Sequence, residues 1–389
     1  MKREITTEGI PVKIWADDLE AATWEQTRNL ANHPCSFHHV ALMPDSHLGF
    51  GMPIGGVLAL KNAIIPNAVG VDIGCGMCAV PTSLRRIEKK QLVKILDDLR
   101  KRIPVGFKRH ESAQNAKYLP QEEPNERQFP IIYQEIEKSM KQVGTLGSGN
   151  HFVEIQKGSD GFIWIMIHSG SRNLGHTVAT FYNRKAIEMN QTRTDPLPKK
   201  WQLDYLPLDS ELAQDYIREM NYCVDFAFHN RKLMMKRVLE VVQDRTNASY
   251  TKMDSMINIA HNFAGLENHF DQEVWVHRKG ATQAFNGQTG IIPGSQGANS
   301  FIVEGKGNPD SFMSCSHGAG RKLGRRQAIR QLSLKSEQQK LTGVLHAVRR
   351  KKDLDEAPGA YKDIAQVMRN QSDLVKVKVT LQPLACLKG

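Results

Sequence analysis

Five short, mostly glycine-rich segments, spread over about 250 residues, each carry a side chain that can bind a metal ion or attack phosphorus. They are Val71-Asp72-Ile73-Gly74-Cys75-Gly76, Gly149-Asn150-His151-Phe152, Ile167-His168-Ser169-Gly170-Ser171-Arg172, Ala260-His261-Asn262 and Ser314-Cys315-Ser316-His317-Gly318-Ala319-Gly320-Arg321. Glycine lets backbone approach an ion or a phosphate closely. Asp, Cys and His supply oxygen, sulfur and nitrogen ligands. The recurrence of this pairing predicts a fold in which distant loops meet at one site, the arrangement of an enzyme.

Glycine is absent between Gly175 and Gly265 and frequent on both sides of that gap. Within it, Pro207 and Asp209-Ser210 open a stretch free of Gly and Pro through Val242. There Leu212, Tyr216, Met220, Cys223, Ala227 and Met234 recur at helical spacing. The pattern predicts one long helix or a broken pair, capped by Asp209 or Ser210, in a helical insertion at about 176–260. A second amphipathic helix is expected from Glu88 to Arg102, with Leu92, Ile95, Leu99 and Ile103 on one face and Pro104 beyond it. Val375 to Leu381 alternates with period two and reads as a strand. Pro44 to Val80 reads as short strands joined by glycine loops, and the polar stretch Leu119 to Gln128 as a surface loop. The 389 residues exceed the roughly 250–300 at which single cores divide. No linker or internal repeat separates them, however, so the expectation is one α+β domain, residues 1–389, with mixed sheets around a glycine-rich metal cleft.

The longest apolar run, Phe162 to Ile167, falls far short of the roughly 20 residues of a membrane span. Met1-Lys2-Arg3-Glu4 leads into no signal-peptide core. Both point to a cytoplasmic protein without a membrane partner. Six cysteines in a chain this long do not make a disulfide-stapled secreted protein. Cys75 and Cys78 form a Cys-x-x-Cys with no second pair to complete a structural zinc site, so free or ligating thiols are expected. The net charge of +11 favours a polyanionic partner, nucleic acid first. Basic points are dense at Lys101-Arg102, Lys108-Arg109, Arg321-Lys322, Arg325-Arg326 and Arg349-Arg350-Lys351-Lys352.

Asp72 and Cys75 lie three residues apart on one turn, so both can reach a single ion. His151, His168 and His261 each adjoin a short apolar stretch, which places a histidine at a strand end facing a cleft. One crowded site or two open ones can be built from this set, for Zn, Mn, Fe or Co. His317 is followed by two glycines within three residues and by Arg321. Its segment suits an anion-binding loop or a nucleophile beside a phosphate, and a sixth metal ligand or a capping histidine equally.

Taken together, Met43-Pro44-Asp45-Ser46-His47-Leu48-Gly49, Val69-Gly70-Val71-Asp72-Ile73-Gly74-Cys75-Gly76-Met77, Gly144-Thr145-Leu146-Gly147-Ser148-Gly149-Asn150-His151-Phe152, His168-Ser169-Gly170-Ser171-Arg172, Pro293-Gly294-Ser295, His317-Gly318-Ala319-Gly320-Arg321 and Tyr361-Lys362-Asp363 resemble the RtcB family of GTP-dependent RNA ligases. The terminal Lys388-Gly389 matches as well, and the resemblance runs in order from near residue 11 to the last residue. It implies an RtcB-like domain that joins an RNA 3′-phosphate or 2′,3′-cyclic phosphate end to a 5′-hydroxyl end, using GTP and two Mn2+ ions. It implies that His317 carries GMP, that Asp72, Cys75 and His151 hold one metal, and that Cys75, His168 and His261 hold a second. Asn150, Phe152, Glu154, Asn262, Ser295, Ser300, Tyr361 and Lys388 are the implied GTP contacts. Arg172, Lys279, Arg321 and Arg325 are candidates for RNA phosphates, and Asp45 and His47 are expected as supporting residues of the site. An archease-type activator is a further expected partner.

Two other functions are compatible with a metal cleft and a basic surface. A metal-dependent phosphodiesterase could open cyclic phosphates without joining ends, but would not need Glu154, Tyr361 and Lys388. A non-catalytic RNA-binding protein would not need the nucleophile or the ligands. The chain departs from the commonest family pattern at Ser46, Phe263 and Gln296, and across Val105-Gly106-Phe107-Lys108-Arg109-His110-Glu111-Ser112. None of these removes a ligand or the nucleophile. They bear on which RNA is preferred.

Overall fold

A computed structural model of the chain describes residues 1–249 and 253–389. Two large sheets and two two-stranded ones, with the helices packed on them, form an α+β domain. Six strands run in the order Arg3–Ile5, Val12–Ile14, Ser36–Phe50, Met52–Leu60, Gln272–Lys279 and Asn262–His269. Seven run in the order Ile257–Ala260, Gly76–Pro81, Ile163–Ser169, Phe152–Gly158, Val375–Lys388, Ser300–Gly305 and Thr289–Ile292. Among the described pairs, only Val12–Ile14 against Ser36–Phe50 is parallel.

The apolar run at 162–167 becomes the buried strand Ile163–Ser169. Its alternation decides where the site lies. Ile163, Ile165 and Ile167 pack with Val153 and Ile155 against Leu92, Ile95, Leu99, Met234 and Val238 of two helices. Trp164 and Met166 face the other way, toward Ile291, Ile302 and Phe152. Side chains two apart share a face, so His168 belongs to the second face, with Phe152, Glu154 and Gln156 of the neighbouring strand.

The helix of the first face runs Lys89–Arg102, and Glu88 and Gln91 complete a capping box at its start. Over the expected long helix or broken pair stands one unbroken helix, Glu211–Arg245, whose Ser210 cap accepts from the Ala213 amide at 3.2 Å. Tyr216, Met220, Cys223 and Phe226 bury against Val178, Tyr182 and Ala186 of the helix Arg172–Gln191. The 176–260 stretch also supplies strands to the sheets. Leu206–Pro207 pairs with Ala63–Ile64, and Ile257–Ala260 with Gly76–Pro81.

Two expectations change in the region of the sheets. Pro44 to Val80 does not open as short strands, because Ser36–Phe50 is one 15-residue strand that doubles back into Met52–Leu60. Its glycines mark close approach more than chain ends. A Cβ at Gly55, whose φ is +82°, would lie 2.8 Å from the Ser46 Cα. The C-terminal strand continues past Leu381 to Lys388. Pro383 breaks the alternation there, and a register shift between Pro383 and Ala385 absorbs it. No helix of the described residues is long and apolar enough to cross a membrane.

Candidate metal centre and nucleotide cleft

Three loops and a strand end place the ligand candidates together. The Cys75 Sγ lies 3.4 Å from His151 Nε2 and 3.3 Å from His168 Nε2. Asp72 Oδ2 is 3.1 Å from His151 Nε2, and His168 Nε2 is 3.4 Å from His261 Nε2. Two sets emerge, Asp72, Cys75, His151 and Cys75, His168, His261, each with its ligand atoms within 4.8 Å of one another. Cys75 belongs to both.

The tautomers argue for a cation. His151 Nδ1 faces the Leu146 carbonyl at 2.9 Å, and His168 Nδ1 faces the Asn150 carbonyl at 3.1 Å. A carbonyl only accepts, so each Nδ1 carries the proton and each Nε2 presents a lone pair. Those lone pairs converge on a carboxylate and a sulfur. Burial, and then the neighbouring imidazoles, push His168 and His261 well below the usual histidine pKa, which keeps both neutral. The separations of 3.1–3.4 Å suit edges of a coordination shell with bonds of about 2.0–2.3 Å. The donor set therefore fits two divalent ions sharing a thiolate.

His317 stands beside this group, its ring centroid 4.8 Å from that of His261. The strand Ser314–Ser316 delivers it, and buried Asp45 receives it. Asp45 Oδ2 accepts from His317 Nδ1 at 2.6 Å and from the His317 and Gly318 amides at 3.2 and 3.3 Å. Burial raises the Asp45 carboxyl, but His317 outweighs it and holds the group below its ordinary pKa. An ionised acceptor fixes the proton on Nδ1 and leaves the Nε2 lone pair for chemistry. His47 is tied at Nδ1 to the Asp45 carbonyl at 2.9 Å.

On the same face of the seven-stranded sheet, Glu154 is buried and receives a hydrogen bond from Gln156 Nε2. Gln156 Nε2 also donates to Ser300 Oγ at 3.1 Å, and Ser300 Oγ accepts from the Gly294 amide at 3.1 Å. Burial pushes the Glu154 carboxyl up to about 8 against the lowering effects of Gln156 and Lys388. The Lys388 Nζ lies 5.9 Å from the centre of the Phe152 ring and donates to the Gly149 carbonyl at 3.3 Å. Ser295 is half-buried and Asn150 exposed. Asn262 bridges backbone, donating to the Asp72 carbonyl at 3.2 Å and accepting from the Gly280 amide at 2.8 Å.

The RNA-phosphate candidates divide. Arg321 and Arg325 reach Glu356 at 3.0 and 3.1 Å, Lys388 reaches it at 3.8 Å, and the Tyr361 hydroxyl donates to it. Glu356 is buried and gathers one phenol and three cations at the cleft. Sequence reasoning missed it, because Asp353-Leu354-Asp355-Glu356 reads as solvated charge. Lys279 is buried, its Nζ donating to the Phe50 and Asn67 carbonyls at 2.6 and 2.9 Å, and burial lowers its pKa to about 7. Arg172 holds Thr145 Oγ1 at 3.1 Å and the Gly106 carbonyl at 3.3 Å from a backbone φ of +60°.

A second omission lies inside the long helix. Asn230 and Arg231 are fully buried. Asn230 accepts from the Gly144 and Thr145 amides at 2.7 and 3.1 Å and donates to the Gly170 carbonyl at 3.0 Å. Arg231 donates to the Gly74 and Ser169 carbonyls, both at 2.9 Å, and to Asn258 Oδ1 at 2.7 Å. The helix thus clamps the turns that carry Cys75, His151 and His168. The sequence signal was an Asn-Arg pair interrupting an apolar stripe. Arg231→Met is expected to lower stability by about 3 kcal/mol, since it leaves buried acceptors unpaired, and to reduce metal uptake. A urea midpoint and a metal content both equal to wild type would remove the clamp's role.

Comparison with known proteins agrees along the whole chain. The family model described as tRNA-splicing ligase RtcB matches residues 26–128 and 122–389. The RNA-splicing ligase RtcB of Escherichia coli K12 is 39% identical over 407 aligned residues, covering 99% of each chain. The tRNA-splicing ligase RtcB of Thermococcus kodakarensis is 31% identical, covering 98% of this chain and 95% of the relative. RNA-splicing ligase RtcB homolog 1 of Entamoeba dispar is 33% identical, covering 94% and 81%.

Proposed function

The chain belongs to the RtcB family, and from that premise and the geometry of the cleft we propose that it is an RNA ligase of splicing or repair that works through a guanylylated His317. The observation that carries this reading is the buried Asp45 carboxylate on His317 Nδ1, with the His317 ring 4.8 Å from that of His261, a member of one of the two ligand sets that share Cys75.

In the proposed reaction His317 Nε2 attacks the α-phosphorus of GTP. The bond to the β-phosphate breaks and pyrophosphate leaves. The RNA 3′-phosphate then takes GMP from the histidine, a P–N bond giving way to a new P–O–P linkage. The 5′-hydroxyl of the second end attacks the activated 3′-phosphorus, GMP departs, and a 3′–5′ phosphodiester remains. A 2′,3′-cyclic end is first opened by water. Divalent ions bound by the two sets, manganese by family resemblance, would stabilise charge on the phosphoryl oxygens. Asp45 keeps the His317 tautomer, and Arg321, Arg325 and Lys388 supply positive charge under the restraint of Glu356. Incubation with GTP labelled at the α-phosphate and Mn2+, followed by a denaturing gel, tests the reading. A labelled band is expected, whereas a phosphodiesterase or a passive RNA binder would give none.

Guanine selection is assigned to Glu154. An ionised carboxylate accepts from both the N1–H and N2–H of guanine, while adenine presents an unprotonated N1 in the matching place. With its pKa near 8, Glu154 is mostly protonated at pH 7 and must lose that proton as guanine binds. GTP affinity should therefore rise about tenfold per pH unit below 8 and level off above it. Glu154→Gln should remove that slope and narrow the preference for GTP over ATP. Titrations at several pH values with saturating metal decide it. A variant with the wild-type slope and preference would make Glu154 structural.

A further inference from the structure

The segment Val105 to Ser112 has a hydrogen-bonded base and a bare tip. At the base, Gly106 donates to the Gly147 carbonyl at 2.6 Å, and Leu146 donates to the Pro104 carbonyl at 3.0 Å. Arg172 donates to the Gly106 carbonyl at 3.3 Å. On the far side, the His110 amide bonds the Lys141 carbonyl at 2.9 Å, and Arg237 Nη1 meets His110 Nε2 at 2.9 Å. At the tip, Phe107 is 100% exposed, the most exposed large apolar side chain among the described residues. Lys108 and Arg109 beside it are exposed, and neither is ion-paired among the described residues. Glu111 is the one acid in the segment.

The base of this loop is continuous with the cleft. Gly147 lies between the Arg172 guanidinium and the His151 ring, so close that a Cβ there would stand 2.6 Å from His151 Nδ1. A single peptide contact therefore separates the loop from a residue of the candidate metal centre. An exposed aromatic ring flanked by two exposed cations, on a loop whose base is hydrogen-bonded, combines base stacking with phosphate contact, the pairing used to hold single-stranded nucleic acid. An acidic peptide would use the cations but not the bare ring. An apolar partner would use the ring, but would have to strip water from both charges.

We propose that the Val105–Ser112 loop docks the single-stranded end of the RNA substrate, with Phe107 stacking on a nucleobase and Lys108 and Arg109 contacting its backbone phosphates. The proposal rests on the RNA ligase reading and adds to it the element that places the strand beside the cleft. Its chemistry is sequence-tolerant, because every base has a face to stack.

The test uses the full chain and a fluorescein-labelled, 3′-phosphorylated single-stranded RNA of about ten nucleotides, followed by anisotropy at fixed salt. Phe107→Ala should weaken binding about 10-fold, and Phe107→Trp should keep it. The added tryptophan fluorescence, read against wild type, should be quenched by the RNA. Lys108→Ala with Arg109→Ala should weaken binding and flatten its salt dependence. The GMP adduct, which needs no RNA, should form in every variant as in wild type. Wild-type RNA affinity in Phe107→Ala, with no quenching in Phe107→Trp, would overturn the docking role while leaving an adduct-forming ligase intact. An adduct missing from wild type would sink the ligase reading itself. If Phe107→Ala left RNA binding unchanged and instead sedimented as a smaller species, the tip would be a contact between copies and the proposal would fail.

Discussion

His317→Ala is expected to abolish the covalent GMP adduct while leaving metal content near wild type. The imidazole is the only group in its segment with a free nitrogen lone pair toward the cleft, since Asp45 occupies Nδ1. Neither three-ligand set includes it, so its removal should not release an ion. Asp45→Asn is the subtler variant. It keeps the nucleophile but removes the charge that fixes the tautomer, and is expected to slow adduct formation by about 10²–10⁴-fold. RNA supplied already activated with guanylate at its 3′ end should still be sealed by His317→Ala. Mass spectrometry of the protein after incubation with GTP and Mn2+ reads the first outcome, and quench-flow adduct formation the second. An adduct in His317→Ala at wild-type yield would move the nucleophile elsewhere. Equal rates in wild type and Asp45→Asn would reduce Asp45 to a packing role.

The parts of this site that were legible in the sequence were those where local chemistry is unusual. Cysteine or histidine set among glycines has few structural uses, so Cys75, His151, His168 and His317 stand out before any fold is known. The amphipathic helix at Lys89–Arg102 was legible for a similar reason, since its periodicity and capping box are both local. What escaped was what only tertiary contact defines. Glu356 looks like surface charge until four partners from 321 to 388 meet it. Lys279 looks like a phosphate ligand, yet two of its three N–H bonds go to the Phe50 and Asn67 carbonyls. Asn230 and Arg231 were hidden in a stripe read as apolar. The glycines near Gly55 suggested loops, because a residue needed for close packing between strands looks the same, in sequence, as one needed for a turn.

Cys75→Ala should empty both metal positions, whereas Asp72→Ala should empty one. The sulfur lies 3.4 and 3.3 Å from Nε2 atoms that belong to different sets. Removing it leaves two ligands for each ion, and each affinity should fall by at least about 100-fold, since even the loss of an outer partner costs 10–100-fold. Asp72→Ala leaves Cys75, His168 and His261 complete. The thiol adds a pH signature. Burial, and then the Asp72 carboxylate, push its pKa well above the ordinary cysteine value. Without cations it therefore keeps its proton at neutral pH, and ion binding must displace that proton. Metal affinity should consequently rise with pH, and the thiolate that forms should make the loaded site sensitive to peroxide. Elemental analysis after dialysis against trace Mn2+ distinguishes the variants, with two ions per chain expected in wild type, one in Asp72→Ala and close to none in Cys75→Ala. Two ions retained by Cys75→Ala would mean that the sulfur bridges nothing. The shared corner of the two sets would then be a crowded contact with no role in coordination.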